Sequence, residues 1–229
     1  MTLKKGLAIY AAATVIATAI AITWLDHPLA LYLHGFAQMG WFRFFVRITD
    51  LANGAIWYAF AVVMIAITLA RRKLTPAAMP PEKFTQHVRA WAFMVVAMAT
   101  SGVIVNLIKV MVGRERPRVL FADGDAAYTP FSVDVDASSF PSGHTQSICA
   151  AMLALALIFP PARYLCLIVA VAVSASRVII GAHYLGDVIG GAFVGITAVI
   201  LWRAWFQKNG VSVTLTETSG AEITAPRPS

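Results

Sequence analysis

The sequence predicts an all-α integral membrane protein, a six-transmembrane-helix bundle with a short interfacial helix between spans 1 and 2. Three observations carry this prediction. Of the 229 residues, 59% are hydrophobic and only 13% charged, against about 25% charged in an ordinary soluble domain. The apolar residues gather into long runs separated by short polar stretches. The runs are continuous, without the in–out alternation that marks a membrane β-barrel.

The runs cover residues 6–25, 51–70, 90–112, 145–160, 163–180 and 185–206. About 20 mostly apolar residues cross a bilayer as a helix, and most of the runs reach that length. The run 145–160 is short and 163–180 marginal; a Pro-Pro-Ala-Arg turn (Pro160 to Arg163) separates them, so they read as a helical hairpin. The first run follows Lys4 and Lys5, as a secretory leader would. Its small-x-small pattern, Ala17-Thr18-Ala19, lies inside the run, which is also too long for a leader, so it reads as a retained span. Between the first two runs, residues 28–48 interleave Phe36, Trp41, Phe42, Phe44 and Phe45 with Arg43 and Arg47. That mixture belongs in the interface plane, as an anchor or as a lip beside a site.

The expected domains are 1–206, the membrane bundle, and 207–229, a polar, disordered cytoplasmic tail rich in Thr and Ser. The positive-inside rule fixes the orientation. A cytoplasmic N-terminus leaves seven of the 18 Lys and Arg residues outside: Arg43, Arg47, Lys109, Arg114, Arg116, Arg118 and Arg177. The net charge of +7 resides on loops and ends and fits anionic lipid head groups and substrates better than nucleic acid, for which no recognised binding motif is present; no nucleic-acid partner is expected. Cys149 and Cys166 fall inside apolar runs and read as small core residues.

Ionisable residues beside membrane helices are expensive and point to function. They cluster in three places: Lys109 to Pro117 after the third run, Pro141-Ser142-Gly143-His144 before the fourth, and Ser176 to Asp187 between the fifth and sixth. The alternating topology places all three at one membrane face. Lys109, Arg116 and Arg177 are three cations whose grouping calls for an anion, and guanidinium geometry matches phosphate oxygens. Ser142 and Gly143 stand where a helix begins, so free N–H groups and the helix dipole face the same anion. His183 and Asp187, four residues apart, would share a helix face. The carboxylate then orients the imidazole as a nucleophile, and His144 serves as acid and base. Four aspartates in the intervening loop, Asp123, Asp125, Asp134 and Asp136, do not make a calcium loop, because Ala127 stands where a third ligand is needed and no glutamate closes it.

Lys-x6-Arg-Pro, Pro-Ser-Gly-His and Ser-Arg-x5-His-x3-Asp, in this order, resemble the signature of the type 2 phosphatidic acid phosphatase family, which shares its site architecture with vanadium haloperoxidases. All defining positions are filled: Lys109, Arg116, Pro117, Pro141, Ser142, Gly143, His144, Ser176, Arg177, His183 and Asp187. The resemblance implies a membrane phosphatase acting on a lipid phosphate or diphosphate through a phosphohistidine, without a metal or other cofactor. It implies His183 as nucleophile, Asp187 as its orienter and His144 as acid–base, with Lys109, Arg116, Ser142, Gly143 and Arg177 holding phosphate. Undecaprenyl diphosphate, phosphatidylglycerol phosphate, phosphatidic acid and the 1-phosphate of lipid A are the candidate substrates. Arg114 and Arg118 beside the clamp favour a head group with more than one negative charge. The expected partners are the phosphorylated lipid and membrane lipids, with no obligatory protein partner. The expected location is a bacterial cytoplasmic membrane, with both termini cytoplasmic and the site at the outer face. A lipid-to-lipid phosphotransferase would use the same residues; a non-catalytic phospholipid transporter would need only the clamp.

Overall fold

A computed structural model describes residues 2–215. The chain opens with α1 (Leu3–Ile20), which passes through a π-helical turn (Ala21–Leu25) into α2 (Asp26–His34). There follow α3 (Phe42–Ile48), α4 (Gly54–Leu74), α5 (Pro81–Val112) and α6 (Pro117–Asp123). The last three are α7 (Gly143–Ile158), α8 (Arg163–Ile179) and α9 (Leu185–Lys208). No strand forms among the described residues, and Arg114 and Tyr128 make an isolated bridge.

Among the described residues five helices are long and apolar enough to cross a membrane: Leu3–His34, Gly54–Leu74, Pro81–Val112, Pro160–Ile179 and Leu185–Lys208. The fourth expected span is α7, and it differs. It has 16 residues, about 24 Å of helix, against a hydrocarbon core of about 30 Å. It lies within the bundle, packed by α5, α8 and α9. The third span starts nine residues earlier than the apolar run, because Pro81 supplies a good first-turn residue ahead of Trp91 and Phe93. Residues 42–48 of the aromatic stretch form a short helix, α3.

Local chemistry sets the helix ends. Asn53 caps α4, accepting the Ala55 N–H at 3.0 Å, and Arg71, Arg72 and Lys73 close its last turn. Ser142 caps α7, accepting the Thr145 N–H at 3.3 Å. The outer faces carry exposed Ile9, Val15, Val62, Leu165 and Ile168. Such a surface is an aggregation hazard in water and a solvent-matched face in lipid. The core is built on α5, α7 and α9 from Trp91, Phe93, Met94, Met98, Ile148 and Val199. The Gln146 amide of α7 adds a buried polar link, donating to Ser101 Oγ of α5 at 2.5 Å.

Two glycines set the distance between α7 and α9. A Cβ at Gly191 would stand 2.3 Å from the Ser142 carbonyl oxygen, and one at Gly195 would stand 2.5 Å from that of Gln146. The obstacle in both cases is backbone, which cannot step aside. Gly195→Leu is therefore expected to destabilise the bundle by about 3 kcal/mol or more, read as a lowered melting temperature of the detergent-purified protein. The same close approach brings the start of α9 to the start of α7, where the Ser142 N–H donates to the Asp187 carbonyl at 2.9 Å.

The domain boundary expected after residue 206 falls inside α9, which continues to Lys208. Beyond it, Val211, Val213 and Leu215 alternate with polar residues and pack on the bundle, with Val213 buried. The Leu215 N–H donates to the Ile158 carbonyl at 2.8 Å, and Gln86 Nε2 donates to the Thr214 carbonyl at 2.7 Å. The rest of the expected tail, 216–229, lies outside the described residues.

Candidate active site

The three motif clusters meet at one end of the bundle. Lys109 comes from the last turn of α5, Ser142, Gly143 and His144 from the start of α7, Arg177 from the last turn of α8, and Asp187 from the first turn of α9. Lys109 Nζ donates to the Ser138 carbonyl, and Arg116 Nη2 donates to Ser138 Oγ at 3.3 Å, so one loop residue holds both cations. A Cβ on Gly143 would lie 3.8 Å from Lys109 Cε, which places the lysine chain along the α7 N-terminus. His144 is exposed there, within electrostatic reach of Arg177, His183, Arg116 and Lys109.

Two buried donors point to an anion. The Nε atoms of Arg116 and Arg177 are buried without a hydrogen-bond partner among the described residues. Burial also lowers the Arg116 guanidinium, helped by the charge of Arg118. Arg177 spends one arm elsewhere, with Nη1 donating to Thr49 Oγ1 at 2.7 Å. That bond ties the α3 segment to the site. The Ser142 hydroxyl is engaged in capping α7, so at this position the backbone amides of the first turn, which lack intrahelical acceptors, remain to face a phosphate.

The His183–Asp187 pair arises differently from the expectation of a shared helix face. His183 precedes α9, in the turn held by its N–H donating to the Arg177 carbonyl at 3.1 Å. Asp187 reaches back to cap the same helix, its Oδ2 accepting the Tyr184 N–H at 2.9 Å. This capping aims the carboxylate at the preceding turn, where Oδ2 lies 3.5 Å from His183 Nδ1. Ser139 Oγ donates to the same oxygen at 2.5 Å and lies 3.5 Å from His183 Nδ1. His183, Asp187 and Ser139 are all buried. Burial pushes the His183 imidazole down to about 4 against the pull of Asp187, and Lys109 and Arg116 push it the same way. The ring is neutral at ordinary pH, as a nucleophile requires.

Arg114 and Arg118 do not add free charge to the clamp. Arg118 pairs with Asp136 in the loop, both exposed. Arg114 is buried between two carboxylates, with Nη1 2.7 Å from Asp187 Oδ1 and Nη2 2.8 Å from Asp26 Oδ2. Burial alone would lower its affinity for a proton, but Asp187 and Asp26 raise it above the ordinary arginine value. The preference for a multiply charged head group that the sequence attached to these arginines therefore loses its basis. Asp26, Thr49, Ser138, Ser139 and Tyr184 are site residues that the sequence reading missed. Of these, Asp26 carried a signal, an ionisable residue ending an apolar run.

A cavity of about 1140 Å³ lies at the far end of α5, lined by Arg71, Glu82, Gln86 and Val211, and no motif residue lines it. The motif residues, His144 and His183 among them, lie at the other end of the bundle.

A model of the PAP2 superfamily matches residues 90–210, which include all three clusters. The chain belongs to the PAP2 superfamily. Two curated relatives are each named lipid A 1-phosphatase. One, from Rhizobium etli (strain ATCC 51251 / DSM 11541 / JCM 21823 / NBRC 15573 / CFN 42), is 38% identical over 117 residues, 49% of this chain and 50% of the relative. The other, from Rhizobium johnstonii (strain DSM 114642 / LMG 32736 / 3841), is 36% identical over 120 residues, 52% of this chain and 49% of the relative. The chain thus spans about half the length of the curated relatives it matches. The crystal structure of a transmembrane PAP2 type phosphatidylglycerolphosphate phosphatase from Bacillus subtilis superposes with a TM-score of 0.64 at 20% identity, covering 88% of this chain and 96% of that one. That likeness is one of fold. Together with the apolar helices it makes this a multi-pass membrane protein.

Proposed function

We propose that the protein is a lipid phosphate phosphatase that works through a phosphohistidine on His183. The observation that carries this reading is the meeting of a neutral, carboxylate-oriented imidazole with buried, unpartnered guanidinium Nε atoms of Arg116 and Arg177. A binding protein needs the cations; the oriented imidazole is a nucleophile's arrangement.

In the first step His183 Nε2 attacks phosphorus. The N–P bond forms and the P–O bond to the lipid breaks. His144 gives its proton to the departing oxygen, and Asp187 stabilises the positive charge gained by the His183 ring. Lys109, Arg116 and Arg177, with the first-turn amides of α7, take the charge on the equatorial oxygens. In the second step His144 removes a proton from water, whose oxygen attacks phosphorus as the P–N bond breaks. The exposure of His144 supports this role, since it must exchange protons with solvent. No step calls for a metal.

The names of the two relatives rank lipid A 1-phosphate first among the candidate substrates. Undecaprenyl diphosphate, phosphatidylglycerol phosphate and phosphatidic acid follow. We place the protein in a bacterial cytoplasmic membrane with its N-terminus inside and the histidine end at the outer face. In this placement α7 completes a sixth pass within the bundle, α3 lies in the interface, and the described residues after α9, 209–215, lie on the cytoplasmic side.

The test is phosphate release by detergent-purified protein in EDTA across those four lipids. Release from at least one is expected; none, from protein shown to be folded, would favour phosphotransfer or transport. The acid limb gives a second check. With the His183 imidazole at about 4, the nucleophile stays neutral where an ordinary imidazole, near 6.5, takes a proton. Protonation of His183 is therefore expected to leave its single-turnover phosphorylation unimpaired at about pH 5.5 and to depress it only as pH approaches 4. Stability follows the same sign. Between those two values the unfolded chain binds the proton and the folded one does not, so His183 makes the fold less stable as pH falls.

A further inference from the structure

Asp26 belongs to the first span, outside the family match of 90–210 and outside all three motifs. It is 2% exposed and sits in a closed ring of contacts. Its Oδ2 lies 2.8 Å from Arg114 Nη2, and Arg114 Nη1 lies 2.7 Å from Asp187 Oδ1. Its Oδ1 accepts the N–H of Gly186, the neighbour of Asp187, at 2.9 Å. Tyr184 covers the guanidinium, its ring centre 4.2 Å from Arg114 Cζ. Gly186 leaves room for this approach, because a Cβ there would stand 2.9 Å from Asp26 Oδ2.

A buried ion triad stabilises a fold less than well-packed apolar residues would, so stability alone does not account for it. Position and charge do. Arg114 fixes one oxygen of Asp187, which directs the other at His183 Nδ1. Arg114 alone would also neutralise Asp187. Asp26 offsets Arg114 and returns a net negative charge to the three groups, beside a ring that becomes positive when its nitrogen bonds to phosphorus. From this geometry we infer that Asp26 is a positioning residue that acts through Arg114 on the Asp187–His183 pair, making the first span a working part of the active site. The inference rests on the proposed role of His183.

The test uses the full chain in detergent with Asp26→Asn. The variant is expected to lower kcat about 10- to 100-fold, as loss of an outer-shell partner does, with KM for the lipid changed less than about threefold, since Asp26 touches no phosphate-binding group. A second readout needs no turnover. In histidine-labelled protein, the nitrogen spectrum of His183, identified by its absence from His183→Gln, should show one Nδ1–H tautomer in the wild type and a mixture in Asp26→Asn. Gly186→Ala, which pushes on Asp26 Oδ2, should reproduce both effects. Wild-type kcat and an unchanged tautomer in both variants would overturn the inference. If the wild type hydrolysed no lipid, the proposed function would fall, and the tautomer would decide the Asp26 link alone.

Discussion

Replacing His183 by alanine is expected to lower kcat for lipid phosphate release by about 10⁴-fold or more, with substrate affinity retained. The expectation follows from the division of labour at the site. Lys109, Arg116 and Arg177 would hold the phosphate without the imidazole, whereas no other buried imidazole lies against Asp187 Oδ2. His144 cannot substitute, because it is exposed at the start of α7 and has no carboxylate partner among the described residues. Turnover of the first-ranked lipid, with binding of the unhydrolysed lipid to His183→Ala measured separately, checks both halves of the statement.

Asp187→Asn is expected to cost about 10³- to 10⁴-fold in kcat, as when an orienting carboxylate is lost and the imidazole adopts the wrong tautomer. It should also destabilise the fold by about 3–5 kcal/mol, since it breaks a buried pair and leaves Arg114 undercompensated. The two effects separate experimentally. Turnover per folded molecule reports the first, and the melting temperature in detergent reports the second. His183→Ala, which removes no charge partner of Arg114, should move the melting temperature far less. A nucleophile and its anchor are thereby told apart by stability as well as by rate.

Much of this was legible in the sequence because membrane solvation makes the signals strong. Continuous apolar runs gave the helices, and the alternation of spans put Lys109, His144 and Asp187 at one face before any geometry was known. The departures have physical reasons. α7 is shorter than a span because Ser142 and the proline pair at 160–161 bound it, and packing against α5, α8 and α9 lets it be short. The i,i+4 spacing of His183 and Asp187 looked helical. The chain instead uses Asp187 to cap α9 from within, which places His183 outside the helix. Arg114 read as spare charge because its partners, Asp26 and Asp187, are 88 and 73 residues away in sequence. Ser139 gave no signal at all, since a serine in a polar loop is commonplace until it lies 2.5 Å from a buried carboxylate.

The most direct test of the central claim is to catch the covalent intermediate. The wild-type protein would be mixed with a lipid carrying a radiolabelled terminal phosphate, in EDTA, and quenched on the time scale of one turnover. The account predicts label on the protein that survives alkali, is lost in acid, maps to the peptide containing His183 and is absent from His183→Ala. Full turnover with no protein-bound label at any quench time, or label of the same stability in His183→Ala, would contradict it.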